Sequence, residues 1–153
     1  MFVGTNDYVT LDRNYWHDHS GRSPKLGADG VSTVVQATNN FFYNNKGHDF
    51  DIYPGTKALI EGNVFESVTT PITISTIVIS VYNVPDAASA TACASYLGRN
   101  CVVNALSGSG AWPSKTDTTV LTSMKTFSYY AVVPIAASGV KSYVTANAGI
   151  GRI

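Results

Sequence analysis

Charge is scarce in this sequence, and neither sign is in excess. Only 13% of the 153 residues are charged, ten basic and ten acidic, so the formal net charge is zero. With 44% apolar residues and so few charges, the chain resembles neither a disordered protein nor a basic nucleic-acid binder. Its longest apolar-leaning run, residues 72–84, is too short and too often interrupted by polar residues to span a bilayer. We expect one monomeric globular domain that binds neither nucleic acid nor membrane.

Cysteine and histidine are sparse as well. Cys93 and Cys101 are the two cysteines, eight positions apart in a Gly- and Asn-containing stretch. This spacing suits a local disulfide in an oxidising compartment, with two free thiols as the alternative. The histidines, His17, His19 and His48, add no recognisable metal-ligand spacing. We expect neither a metal nor a cofactor.

What the sequence does contain is a repeat. Three triplets each join an asparagine to two bulky residues: Asn14-Tyr15-Trp16, Asn40-Phe41-Phe42 and Asn63-Val64-Phe65. They recur at nearly regular intervals, and a short β-prone run precedes each one. Repeats of this length, rich in β-branched and aromatic residues, predict stacked coils of an all-β parallel β-helix. We expect the asparagines to form a ladder at a bend, bonded from coil to coil.

The chain divides into three regions around this repeat. Residues 1–71 hold the recognisable coils, and residues 72–84 form a β-prone run that we interpret as a divergent insertion that must be paired or covered. Residues 85–153 are predicted to be loops around the disulfide, a short helix within 114–130 that begins near Asp117, and an extended tail from Ala131. We expect this region to pack on the flank or the end of the β-helix.

The beginning of the sequence lacks two features of a secreted solenoid. No signal-peptide pattern follows Met1, and nothing ahead of Tyr8 is long enough to cap the first coil. We therefore expect a β-helix that is truncated at its N-terminal end.

The first candidate for a functional site is the stretch Ser20-Gly21-Arg22-Ser23-Pro24-Lys25. Two cations within four positions, stiffened by Pro24 and given room by Gly21, suit an anionic or carboxyl-bearing ligand. The alternative is a solvated turn with two ordinary surface cations.

Three other patterns have a chemical and a structural interpretation. His17 and His19 lie on one face of an extended segment and could hold a metal with a third ligand, or they belong to a polar turn. Asp49 and Asp51 share a face in the same way, as the carboxylate pair of a glycosidase or as solvated strand residues. His48 is either a general base or a hydrogen-bonded structural histidine.

The order of the motifs resembles the C-terminal half of fungal pectin lyases. The resemblance rests on Asn6-Asp7-Tyr8-Val9-Thr10-Leu11, the 20–25 stretch, Asn39-Asn40-Phe41-Phe42, Gly47-His48-Asp49-Phe50, Glu61-Gly62-Asn63-Val64-Phe65, Cys93-Ala94-Ser95, Gly98-Arg99-Asn100-Cys101 and Asn147-Ala148-Gly149. It covers most of the chain. It implies a right-handed parallel β-helix, a secreted enzyme, and cleavage of methyl-esterified galacturonan by β-elimination.

The resemblance also assigns roles to two residues. Arg22 matches the family's catalytic arginine, which is assigned as the base, and Lys25 matches a neighbouring cation that holds the substrate carboxyl group. A free guanidinium keeps its proton far above neutral pH, so charge stabilisation by Arg22 is the physically easier role. Calcium-dependent pectate lyases carry an arginine just after the proline, and Lys25 at this place favours the pectin reaction.

Three functions follow as candidates. The first is pectin lyase activity, which depends on family residues that lie on coils upstream of this match. The second is a non-catalytic remnant that still binds pectin. The third is a glycoside hydrolase that uses Asp49 and Asp51.

Overall fold

A computed structural model of the protein describes residues 5–28, 30, 32–73, 80–127 and 131–149. It contains eleven strands within these ranges: β1 (Thr5–Asp12), β2 (Tyr15–His17), β3 (Lys25–Leu26), β4 (Ser32–Thr38), β5 (Phe41–Tyr43), β6 (His48–Ile52), β7 (Thr56–Glu61), β8 (Val64–Glu66), β9 (Thr70–Ile72), β10 (Ser80–Tyr82) and β11 (Ala105–Ser107). The helices are α1 (Ala87–Ala92), α2 (Ala94–Leu97), α3 (Thr118–Phe127) and α4 (Ala137–Asn147).

The strands form three parallel sheets, each built from every third strand of the coils. The first sheet has the order β1-β4-β7-β10, the second β2-β5-β8-β11 and the third β3-β6-β9. Since each coil contributes one strand to each sheet, successive coils lie on one another as in a parallel β-helix. The predicted fold class is confirmed.

The three triplets superpose as the repeat predicts. Trp16 lies opposite Phe42, and Phe42 opposite Phe65, in neighbouring strands of the second sheet. The rings stack at centroid distances of 6.2 Å and 4.8 Å. Phe42 and Phe65 are fully buried, so each contributes about 1.5–3 kcal/mol through the hydrophobic effect.

The asparagines form the predicted ladder. Asn14 Nδ2 donates to Asn40 Oδ1 at 2.9 Å, and Asn40 Nδ2 donates to Asn63 Oδ1 at 2.9 Å. The ladder continues to a fourth rung, because Asn63 Nδ2 donates to Asn104 Oδ1 at 3.0 Å. Each buried amide is thereby satisfied by the coils on either side of it.

The fourth rung shows that the coil pattern continues beyond residue 71, where we expected it to lapse. β10 pairs with β7, and β11 pairs with β8 in the same register as the earlier coils. Helices α1 and α2 lie between β10 and β11 and lengthen this coil. Residues 74–79 of the 72–84 run lie outside the described residues, so its interpretation as an insertion stays a prediction.

The C-terminal region covers two faces of the β-helix. Cys93 and Cys101 form the predicted disulfide beside α2. The predicted helix is α3, and Asp117 Oδ1 accepts a bond from the Thr119 backbone N–H at its start. Helix α3 buries Val120, Leu121, Met124 and Phe127 against the first sheet, and α4 buries Val140 and Val144 against the second.

Two expectations for this region are wrong. The stretch that follows Pro85 is not loop throughout, since Asp86 and Ser89 form a capping box that begins α1. The tail is not extended, since α4 forms within it. None of the helices in the described part of the chain is long and apolar enough to cross a membrane.

Candidate active site

The segment that carries Arg22 is fixed by stacking on the next coil. Lys46 N donates to His19 O at 2.8 Å, and His48 N donates to Gly21 O at 2.9 Å. The two segments approach so closely that a Cβ at Gly47 would collide with the backbone carbonyl groups of Ser20 and Gly21. A glycine at position 47 therefore permits the contact that holds this loop in place.

Arg22 reaches solvent from this loop beside a buried carboxylate. It forms a parallel bridge with His48, just before β3. Its side chain is 53% exposed, and its Nε lies 3.0 Å from Oδ2 of Asp51, whose side chain is only 10% exposed. The acid thus anchors the inner end of the guanidinium group, while the rest of the side chain points outward.

Lys25 lies one step further along the same sheet. Its backbone pairs with Asp51 in the register of β3 and β6. Its Nζ lies 4.2 Å from the centroid of the Tyr53 ring, which is a cation–π contact. Asp51 therefore lies next to both cations that the sequence singles out.

A shallow cavity of about 260 Å³ opens at this place. Its lining residues are Arg22, His48, Asp51, Ile52, Tyr53, Pro54 and Thr73, which come from three successive coils. A polymer lying along the third sheet would cross these coils in turn.

The two candidate carboxylates take different partners. Asp51 pairs with Arg22, whereas Asp49 is fully buried and accepts a bond from Asn45 Nδ2 at 2.9 Å. Burial raises the pKa of Asp49 to about 8, against the opposing effect of the Asn45 bond. A buried, protonated acid cannot face a sugar as one of two accessible catalytic carboxyl groups, so the arrangement does not suit a glycosidase.

The two candidate imidazoles also separate. His17 Nδ1 lies 2.9 Å from Oδ2 of Asp18 at the surface. His19 Nε2 lies 3.3 Å from Oδ1 of Asp49, without hydrogen-bond geometry, and burial lowers the His19 pKa. No group of three His, Cys, Asp or Glu side chains in the described ranges is arranged to hold a metal ion.

The sequence analysis did not predict that Asp51 pairs with Arg22 and lies opposite Lys25 on the neighbouring strand. The signal was present in the repeat, because the step that leads from Asn14 to Asn40 also leads from Lys25 to Asp51. Tyr53, two positions further on the same face, follows from the same register.

The three parallel sheets, stacked coil on coil, place the chain among the parallel β-helix proteins. Residues 4–153 match the family model described as Pectate lyase. The chain belongs to the pectate lyase family, and the resemblance drawn from the motifs is confirmed.

Relatives in three Aspergillus species are named as probable pectin lyases. The chain is 41% identical over 157 residues to probable pectin lyase F-1 of Aspergillus terreus, a match that covers 100% of this chain and 40% of the relative. It is 38% identical over 157 residues to probable pectin lyase E of Aspergillus fumigatus, covering 100% of this chain and 41% of the relative. It is 44% identical over 150 residues to probable pectin lyase F of Aspergillus niger, covering 98% of this chain and 30% of the relative. The chain therefore spans less than half the length of these relatives.

Proposed function

We propose that this protein acts as a secreted pectin lyase, cleaving methyl-esterified (1→4)-α-D-galacturonan by β-elimination. The observation that carries the proposal is the half-exposed Arg22 guanidinium, anchored by Asp51 at the edge of a cavity that crosses three coils. The names of the relatives support the same substrate class.

The reaction needs a stabilised negative charge and a proton acceptor. Removal of the C5 proton leaves an enolate-like charge beside the carboxyl group, and the C4 oxygen then departs. Arg22 supplies positive charge at this place, and the carboxylate of Asp51, 3.0 Å from Nε, holds the guanidinium group in position. We assign Arg22 to charge stabilisation and Lys25 to binding of the substrate carboxyl group.

The proton acceptor is the second requirement. The resemblance assigns this role to Arg22, but guanidinium groups as a class are poor proton acceptors, and this one is held in an ion pair with Asp51. His48 is exposed and lines the same cavity, and an imidazole is the commonest general base in enzymes. We therefore assign the role of the base to His48. A pH profile of the reaction rate of the His48→Gln variant tests this assignment against the one to Arg22.

A second candidate is a pectin-binding chain without catalysis. The observation that favours it is the ion pair of Arg22 with Asp51, which holds the inner side of the guanidinium group at the edge of the cavity. Binding would then depend on the Arg22 cavity.

The test uses purified protein and highly methylated pectin. We expect unsaturated products that absorb in the near ultraviolet, unchanged by a calcium chelator, and a loss of at least about 100-fold in their rate for Arg22→Ala. Arg13→Ala is the matched control, because Arg13 is an arginine of the first coil paired with Asp12 rather than with a cavity residue. Binding without products supports the second candidate. If no binding and no products are detected at any pH, both candidates are contradicted. If a calcium chelator stops the reaction, the result indicates a calcium-dependent pectate lyase.

A further inference from the structure

We propose that Asp51 is a specificity-determining residue that makes the Arg22 cavity prefer an uncharged, esterified uronate to an anionic one. The inference rests on the proposed function and names the form of substrate that the same site takes. It starts from the position of the Asp51 carboxylate, which lines the cavity beside Arg22 and belongs to the residue that pairs in register with Lys25.

The first step is the charge of the site. Without an acid beside them, Arg22 and Lys25 would attract any uronate carboxylate, and de-esterified polymer would bind best. Asp51 lies 3.0 Å from Arg22 Nε and pairs in register with Lys25. Its negative charge thus offsets the positive charge of Arg22 at the edge of the cavity.

The second step is the burial of this acid. The Asp51 side chain is 10% exposed, whereas that of Arg22 is 53% exposed. Water and salt therefore screen the field of Asp51 less than they screen that of an acid on the open surface. A free uronate carboxylate that enters the cavity is repelled by this negative charge, whereas an uncharged methyl ester is not.

The third step is the geometry of the guanidinium. Asp51 contacts Nε, at the inner side of the group, and Arg22 has no other ion-pair partner within the described ranges. The outer nitrogens, Nη1 and Nη2, form no ion pair within the described ranges, so this half-exposed side chain can donate hydrogen bonds to an ester carbonyl oxygen as well as to a carboxylate. Neutralisation by Asp51 therefore lowers charge attraction without removing the donors.

The principal test compares binding of two polymers by calorimetry: highly methylated pectin and de-esterified polygalacturonate. Asp51→Asn keeps the size of the side chain and removes its charge. We expect the ratio of affinities to move toward polygalacturonate by about five- to tenfold, with a steeper salt dependence. Asp51→Glu keeps the charge and should retain the preference of the natural protein.

Glu66→Gln is the matched control. It also removes one carboxylate, but from the Glu66–Lys141 ion pair on the second sheet. Its affinity ratio should equal that of the unchanged protein. An unchanged ratio in Asp51→Asn, or a move toward methylated pectin, would overturn the inference.

A second measurement needs no polymer and separates this inference from the proposed function. Phenylglyoxal modifies guanidinium groups more slowly when a carboxylate holds them in an ion pair, and peptide mass spectrometry reports the rate at Arg22. We expect Asp51→Asn to speed modification of Arg22 about fivefold or more and to leave Arg13 unchanged. If neither polymer binds the unchanged protein, the proposed function fails. If the Arg22 rate does not change, control of Arg22 by Asp51 fails.

Discussion

At the scale of single residues, the chemistry of this protein depends on which acids reach solvent. Two aspartates separated by one residue look equivalent in the sequence, yet Asp49 is fully buried, whereas Asp51 keeps a small exposed fraction beside Arg22. Alternation along a strand predicts a shared face but not what covers it. The loop that carries His19 covers Asp49. Asp51, two residues further along the chain, lies against Arg22 instead.

Asp49 gives the pH dependence of stability a definite sign. Its pKa is raised from 3.8 to about 8 in the folded protein, because burial penalises its charged form. The folded state thus binds this proton more tightly than the unfolded chain, and stability falls as the pH rises from about 4 to about 8. The neighbouring His19, whose pKa burial lowers, acts in the opposite sense below its ordinary value of 6.5.

The Asp49→Asn variant isolates this effect above pH 6.5. Between pH 6.5 and 8, we expect the unfolding free energy of the unchanged protein to fall relative to that of the variant by about 2 kcal/mol. Urea unfolding at several pH values measures it. Asp7→Asn, which removes a less buried carboxylate from β1, is the control. Parallel pH curves for the natural protein and Asp49→Asn would show that the acid titrates normally.

At the scale of elements, the asparagine ladder joins the coils more specifically than the aromatic stacks do. Asn63 is fully buried: its Oδ1 accepts bonds from the N and Nδ2 of Asn40, and its Nδ2 donates to Asn104. The Asn63→Ala variant leaves several buried groups without partners, and we expect it to lose about 2–4 kcal/mol of stability. Asn147→Ala, at an exposed position of α4, should change stability by less than about 0.5 kcal/mol. Equal losses in chemical denaturation would contradict a special role for the ladder.

The sequence predicts the elements that repeat and misses those that depend on packing. The similar steps between Asn14, Asn40 and Asn63 reveal three rungs, whereas the step to the fourth rung is much longer because α1 and α2 intervene. Helix α4 begins after Ala136 without a side-chain cap, and it is stabilised by packing of its buried valines against the second sheet. The site shows the same division: Arg22 stands out by its motif, but its pairing with an acid of the next coil appears only when the coils are stacked.

At the scale of the whole molecule, stability is distributed along the axis of the β-helix. A solenoid is stabilised by its coils and by the contacts between neighbouring coils. Strands β5 and β6 have partners on both sides, whereas β2 and β3 pair on one side within the described residues. The first coil keeps Trp16 partly buried, while Phe42 and Phe50 of the second are fully buried.

Hydrogen exchange should therefore be slower in the second coil than in the first. We expect backbone amides of β2 and β3 to exchange at least about tenfold faster than those of β5 and β6, measured by mass spectrometry on peptides from each coil.

Methylated pectin should slow exchange around Arg22, because a ligand in the cavity contacts residues of three coils at once. Arg22→Ala, which retains the backbone of the loop, should reduce this slowing and leave the difference between the coils intact. Uniform exchange along the axis would contradict the coil-by-coil distribution of stability, and slowing in β5 without slowing around Arg22 would place the polymer on another face.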